Sequence, residues 1–133
     1  MSVKTLLALD FSTSFRTVAL MEIGTRKLLA CSSKSTTPVP TSTAGAEGIH
    51  FIINELLESA GLSQENVQML SLGMGPGSYN GVRSTIALAQ GWSLSVDIKL
   101  AAVSTLDALS FQANRLGWIG RHHILVDAQR DEY

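Results

Sequence analysis

Residues 73–83, Gly-Met-Gly-Pro-Gly-Ser-Tyr-Asn-Gly-Val-Arg, decide how the rest of the chain is interpreted. Four glycines and one proline in this stretch disfavour a regular helix or strand, because glycine readily adopts positive φ and proline fixes φ. An apolar run of strand length, residues 67–72, precedes the stretch, and small or apolar residues follow at helical spacing. The pattern therefore predicts a strand, a glycine-rich turn and a helix over 80–95 that Ser78 or Asn80 caps.

The start of that helix is a candidate anion-binding site. Unpaired backbone N–H groups and the helix dipole favour an anion there, and the candidate ligands are Gly75, Gly77, Ser78 and Asn80, with Arg83 one turn further along. The spacing matches neither the phosphate-loop pattern nor the dinucleotide-binding fingerprint. A glycine-rich turn that only connects a strand to a helix explains the residues equally well.

The remaining sequence predicts an α/β fold in which an antiparallel meander is followed by alternating helices and strands. Further strands are predicted at residues 5–11, 16–23, 26–34, 98–103 and 123–128, and further helices at 46–60 and 105–115. Ser104 is the expected N-cap of the last helix. Residues 35–45, rich in Ser, Thr and Pro, read as a loop.

A second candidate site follows the first predicted strand, where Asp10 stands next to Ser12 and Thr13. One carboxylate and two hydroxyls are suitable ligands for a hard cation such as magnesium and, through it, for a nucleotide phosphate. The same carboxylate could instead orient the turn by accepting hydrogen bonds from backbone N–H groups. Both interpretations stay open at this point.

Neither a catalytic residue nor a histidine metal site can be identified in the sequence. No second histidine stands four residues from His50, so the helix at 46–60 lacks a pair that could share a metal on one face. His122 and His123 are adjacent, and a strand would point them to opposite faces. Ser78 lacks the spacing of a nucleophile elbow.

The composition indicates one folded domain without strong charge. The chain has 133 residues, 45% of them hydrophobic and 16% charged, with a formal net charge of −1. A module that binds nucleic acid alone is usually strongly basic, so we expect RNA contact only through partners. The lone Cys31 excludes an internal disulfide, suits a cytoplasmic protein and is expected in the core. No apolar run is long enough for a membrane span.

Four stretches of the chain carry a family resemblance: residues 75–95, GPGSYNGVRSTIALAQGWSLS; 101–109, AAVSTLDAL; 6–14, LLALDFSTS; and 126–133, VDAQRDEY. They resemble patterns of the TsaB family, also called the YeaZ or glycoprotease-like proteins. The first two are similar to that family's GPGSFTGLR helix and its following Gly-Val-Ser-Thr-Leu. Tyr79, Asn80 and Asp131 depart from the usual residues.

The resemblance implies a fold and a domain organisation. Residues 1–120 would form one lobe of the actin-like, RNase H-like (ASKHA) ATPase fold, and residues 121–133 the first strand of a second lobe that is otherwise missing. Either the gene product is shortened or the sequence holds only the first lobe. In this family the chain would be a degenerate, non-catalytic paralogue of TsaD.

The resemblance also implies a function: a scaffold that pairs with TsaD and, together with TsaE, serves the attachment of threonylcarbamoyl to adenosine 37 of tRNA. The chain itself would bind no cofactor, ATP or ADP could bind at the partner interface, and isolated chains would form homodimers. The pairing surface would use the helices at 46–60 and 80–95, with the candidate residues Ile49, Ile53, Arg83, Leu88 and Trp92. Alternative functions are a metal-dependent glycoprotease-like peptidase and an ATP-binding module. Phe51 either edges the core or belongs to a partner surface.

Overall fold

The computed structural model describes residues 4–35 and 48–126. Within these ranges five strands form one sheet, flanked by three α-helices and one short 3-10 helix. The strands are β1 (Thr5–Asp10), β2 (Phe15–Glu22), β3 (Leu28–Ser35), β4 (Val67–Gly73) and β5 (Lys99–Val103). The helices are α1 (Ile49–Ser59), α2 (Tyr79–Ser95), α3 (Thr105–Arg115) and the 3-10 helix Gln64–Asn66. No helix in the described ranges is long and apolar enough to cross a bilayer.

The sheet is mixed, with the strand order β3-β2-β1-β4-β5. Strand β2 pairs antiparallel with both β1 and β3, whereas β1–β4 and β4–β5 are parallel pairs. The predicted meander followed by alternating helices and strands is confirmed. Because β1, β4 and β5 run in the same direction, their carboxyl ends meet at one edge of the sheet, and α2 and α3 both begin near that edge.

The apolar core lies between the sheet and helices α1 and α2. Alternate residues of β1 are buried, as expected for a strand with one covered face. Leu7, Leu20, Ile53 and Leu70 are at most 1% exposed and belong to one cluster with residues from α1, α2 and the strands. Burial of each such side chain stabilises the fold by about 1.5–3 kcal/mol, so this layer holds the lobe together.

Helices α1 and α3 end in the same way. Each is followed by a glycine in the left-handed region, with φ of 67° and 84°, which L side chains rarely adopt. The next residue then donates its backbone N–H back to the helix: Leu62 to the Leu57 carbonyl at 2.9 Å, and Trp118 to the Ala113 carbonyl at 3.1 Å. Both ends are therefore Schellman motifs, which hold the residue after the glycine against the last turn.

Three predictions on the fold need correction. Residues 123–126 form no strand, because a strand needs a paired neighbour and none reaches them in the described part of the chain; residues 127–128 of that prediction lie outside it. Cys31 is exposed rather than in the core, because it pairs with Ala19 on the face of the sheet opposite to the buried Val18 and Leu20. Helix α1 begins at Ile49, and residues 46–47 of its predicted range lie outside the described residues.

Candidate functional site

A largely buried polar cluster, which we call the polar corner, joins half-buried Asp10 to buried Ser12 and Thr105 at the carboxyl edge of the sheet. The backbone N–H and the hydroxyl of Ser12 both donate to Asp10 Oδ1, at 2.9 and 2.6 Å. The Thr105 hydroxyl donates to Asp10 Oδ2 at 2.9 Å, and the two hydroxyl oxygens lie 2.9 Å apart. Each hydroxyl has one proton, and a carboxylate is the stronger acceptor, so both oxygens of Asp10 are bonded within the protein.

Thr105 connects this cluster to the glycine-rich turn. Its backbone N–H donates to the Gly75 carbonyl at 2.8 Å, and the Gly75 N–H donates to the Thr105 hydroxyl at 3.1 Å. A further bond runs from the Met74 N–H to the Val103 carbonyl at 2.9 Å. The polar corner therefore ties the end of β1, the turn after β4 and the start of α3 into one unit.

The glycines of the turn allow the β1–β2 turn to pack directly on it. A Cβ at Gly77 would lie 2.0 Å from the Ser12 carbonyl oxygen, and a Cβ at Gly81 would lie 1.7 Å from that of Phe11. Both distances are far inside van der Waals contact, and the Ser78 N–H donates to the Ser12 carbonyl at 2.6 Å in the space so created. Close approach of two backbones thus explains these glycines.

One of the backbone N–H groups at the start of α2 is already hydrogen-bonded within the protein. Ser78 is the N-cap, and its hydroxyl accepts from the Gly81 N–H at 3.2 Å. Asn80, the other candidate cap, lies in the first helical turn and is exposed. Thr13 Oγ1 is bonded to the backbone of Phe15. Of the predicted anion-binding residues, the structure therefore brings Asp10, Ser12, Gly75, Gly77 and Ser78 together and places Thr13 and Asn80 apart from the polar corner.

An open groove of about 360 Å³, which we call the α1–α2 groove, runs along α2 beside the 3-10 helix and the start of α1. Leu88, Gly91 and Trp92 line it from α2, Gln64 and Glu65 from the 3-10 helix, and His50 from α1. Leu88 and Trp92 are half-buried and also pack against the core. This groove places two of the predicted partner-binding residues on an accessible apolar surface.

The other predicted partner-binding residues occupy different environments. Arg83 is exposed on α2, and Ile49 is half-buried against the core. Ile53 is 1% exposed, so it belongs to the core and cannot contact a partner in the folded chain. Phe51 is 52% exposed, with the Lys34 ammonium 5.8 Å from the centre of its ring. Its exposure favours the surface interpretation over the core interpretation.

The positions of His122 and His123 also differ from the prediction that they point to opposite faces of a strand. His122 and His123 both line a groove beside α3, although a strand would have directed them to opposite faces; residues 121–126 have no strand geometry. Within the described ranges no group of three or more His, Cys, Asp or Glu residues could hold a metal ion.

Thr105, central to the polar corner, was not predicted as a site residue. The only sequence signal that could have identified it is its position just after a parallel strand.

Comparison with known proteins gives matches along most of the chain. A family model described as TsaD, tRNA N6-adenosine threonylcarbamoyltransferase, matches residues 27–133. The chain is 32% identical to the tRNA threonylcarbamoyladenosine biosynthesis protein TsaB of Haemophilus influenzae over 128 residues, which is 96% of this chain and 51% of that protein. It is 33% identical to Escherichia coli TsaB over 81 residues, or 61% of this chain and 35% of that protein.

The fold is similar to solved structures as well. YeaZ from Pseudomonas aeruginosa superposes with a TM-score of 0.70 at 32% identity, covering 85% of this chain and 49% of that one. The chain thus spans about half the length of the first relatives that it matches. The five-stranded mixed sheet with its helices agrees with one lobe of the actin-like, RNase H-like fold. The chain therefore belongs to the family that the TsaD model describes, and within it to the TsaB, or YeaZ, glycoprotease-like proteins.

Proposed function

We propose that this chain acts in tRNA threonylcarbamoyladenosine biosynthesis as a non-catalytic subunit that binds a TsaD-type partner through α1 and α2. The names of its TsaB relatives support a role in this pathway. The subunit would bind both TsaD and TsaE, and it would contact tRNA only through the complex. ATP or ADP would be held at the partner interface rather than by this chain.

The α1–α2 groove is the observation that carries the proposal. It is open and mainly apolar, and Trp92 forms part of its lining. Tryptophan is enriched among residues that dominate binding energy at protein interfaces, and a half-buried Trp already fixed by the core loses little side-chain entropy on binding. The groove is thus suited to accept apolar side chains from a helix of a partner protein.

The polar corner supports a structural rather than a catalytic role for Asp10. Both carboxylate oxygens accept hydrogen bonds from Ser12 and Thr105. The three donors use most of the roughly four lone-pair positions of a carboxylate. Little of the Asp10 carboxylate is therefore left for a magnesium ion, and its bonds within the protein hold the turn.

The proposal can be tested by measuring binding between this 133-residue chain and the TsaD-type protein of the same organism, with a two-lobed TsaB as the positive control. We expect a specific complex and increased threonylcarbamoylation of tRNA when the chain is added to TsaD, TsaE and the threonylcarbamoyl-adenylate-forming enzyme. Failure to bind a partner that the two-lobed protein does bind would contradict the proposal. Peptidase or ATPase turnover by the isolated chain that a chelator abolishes would favour the enzyme alternatives instead.

A further inference from the structure

Gly91 stands inside α2, with more than one full turn of the helix on either side of it. Glycine is a poor residue for such a position. It leaves the unfolded chain more conformational freedom than alanine does, and so it lowers the stability of the helix. The presence of glycine here therefore needs a reason other than helix formation.

Neither the backbone conformation of Gly91 nor packing within the lobe gives that reason. Gly91 is not among the glycines with positive φ, so alanine could adopt its conformation. Within residues 4–35 and 48–126, no atom lies within 4 Å of a Cβ added to Gly91. Gly81 of the same helix differs, because its added Cβ would lie 1.7 Å from the Phe11 carbonyl oxygen. Packing within the lobe thus explains Gly81 and does not explain Gly91.

Gly91 is exposed and forms part of the α2 wall of the α1–α2 groove. Ala87 and Ser95, one turn before it and one turn after it, also line the groove. Both have short side chains, so the α2 backbone is accessible along about 12 Å of the helix. Leu88 and Trp92 lie beside this line and are half-buried. The groove therefore combines an accessible backbone with two large apolar side chains.

This combination indicates what kind of structure occupies the groove. An occupant that needed only apolar contact would bind better to alanine at position 91, because the methyl group would add apolar area. Two packed helices usually lie with their axes about 8–10 Å apart, since side chains separate them. A glycine at the crossing point removes one of these side chains and lets a second backbone approach closely. Gly91 is thus suited to an occupant whose backbone, rather than whose side chains, meets α2.

We infer that Gly91 is the point at which a helix of the TsaD-type partner crosses α2. The inference rests on the proposed function, because it names the part of the α1–α2 groove that the partner helix contacts. That helix has a small residue at the crossing, and its apolar residues three or four positions away contact Leu88 and Trp92. A helix with a large side chain at the crossing would clash with the α2 backbone, so Gly91 also determines which helices the groove accepts.

The test is Gly91→Ala, for which we expect two effects of opposite sign. The melting temperature of the 133-residue chain should rise by about 2–5 °C, because alanine is the better helix former. The same methyl group should push the two helices apart and reduce the affinity for the TsaD-type protein, measured by calorimetry, at least about tenfold. Gly91→Leu should reduce this affinity at least about a hundredfold. A purely structural role for Gly91 predicts no such combination of a more stable chain with weaker binding.

Ser93→Ala is the matched control. Ser93 lies on the same helix, is exposed and is not part of the groove lining, and alanine also improves the helix propensity there. We expect Ser93→Ala to be at least as stable as the unsubstituted chain and to bind the TsaD-type protein with unchanged affinity. Circular dichroism of all three variants checks that they are folded.

The outcomes separate this inference from the proposed function. If the unsubstituted chain binds the TsaD-type protein and Gly91→Ala binds it equally well, the inference is contradicted and the proposed function stands. An equal loss of affinity in Ser93→Ala would also contradict the inference. If the unsubstituted chain does not bind, both are contradicted. If Gly91→Ala changes only self-association, measured by sedimentation, a second copy of the chain rather than the partner helix meets Gly91, and the inference is wrong.

Discussion

The hydroxyl of Thr105 lies 2.9 Å from the carboxylate of Asp10, although 95 positions separate the two residues in sequence. The bond crosses from the end of β1 to the first turn of α3, and the same hydroxyl also accepts from the Gly75 N–H. Thr105 and Ser12 are each 2% exposed and Asp10 is half-buried, so these bonds are largely shielded from water. One side chain thus links the three parallel strands at the edge where they end.

Replacing Thr105 by valine keeps the shape of the side chain and removes its hydroxyl. Asp10 Oδ2 then loses a donor and the buried Gly75 N–H loses its acceptor, which should lower the free energy of unfolding by about 1–3 kcal/mol. Urea unfolding measures the change. Thr17→Val is the control, because its hydroxyl is bonded to exposed Ser33, and we expect an effect within about 0.5 kcal/mol. Equal losses of stability in the two variants would show that the hydrogen bonds of the polar corner stabilise the fold no more than an exposed hydrogen bond does.

Two glycines of α2 should respond oppositely to alanine. Gly81→Ala would place a methyl group 1.7 Å from the Phe11 carbonyl oxygen, so we expect a loss of at least about 3 kcal/mol of stability. Gly91 has no atom within 4 Å of an added Cβ. Gly91→Ala should therefore gain about 0.5–1 kcal/mol, because alanine is the better helix former. Thermal unfolding of both variants checks the pair, and a stable Gly81→Ala chain would be incompatible with the packing described here.

A charge in the α1–α2 groove should weaken binding of the TsaD-type partner. Ala87 is exposed and lines the groove, whereas Leu88 and Trp92 also pack against the core, so a charge at those two positions would disturb folding as well. We expect Ala87→Glu to reduce the affinity, measured by calorimetry, at least tenfold. This corresponds to a loss of about 1.4 kcal/mol or more of binding free energy. Ser93→Glu adds the same charge at an exposed position of α2 outside the groove lining and should bind normally. Similar affinities for both variants would argue against this surface.

Asp10→Asn distinguishes the structural interpretation of that residue from the cation-binding one. The amide retains one acceptor oxygen and presents an NH₂ group to hydroxyl donors, so we expect a loss of about 1–3 kcal/mol of stability. Asp97→Asn, at an exposed position, should have little effect. If millimolar Mg·ATP raised the melting temperature of the unsubstituted chain and this rise vanished in Asp10→Asn, the carboxylate would be a ligand after all.

Local signals were sufficient to predict most of the sheet and helices. The N-caps Ser78 and Ser104 are both observed, because capping depends on residues within one turn of each other. The meander was predictable since short reversals join its strands. The family resemblance then predicted that these elements form one lobe of the actin-like, RNase H-like fold, which local patterns alone could not show.

The polar corner could not be predicted from local patterns. Thr105 reaches Asp10 only because β5 pairs with β4 and β4 pairs with β1, and these pairings are long-range. The prediction that Ile53 contacts a partner was wrong for a related reason. Ile53 lies on the apolar face of α1, and periodicity identifies such a face without showing whether the core or a partner covers it. The predicted strand at 123–128 had suitable residues but, over 123–126, no neighbour to pair with.

The parallel strands end level with one another, with Leu9 opposite Leu72 and Gly73 opposite Val103. One residue inserted into any of these strands would move its end by about 3.3 Å, which is more than the reach of a hydrogen bond. Changes in length should therefore be rejected in β1, β4 and β5 during evolution of this lobe. The reversal between β2 and β3, around exposed Thr25, faces no such limit, and homologues should differ in length there first.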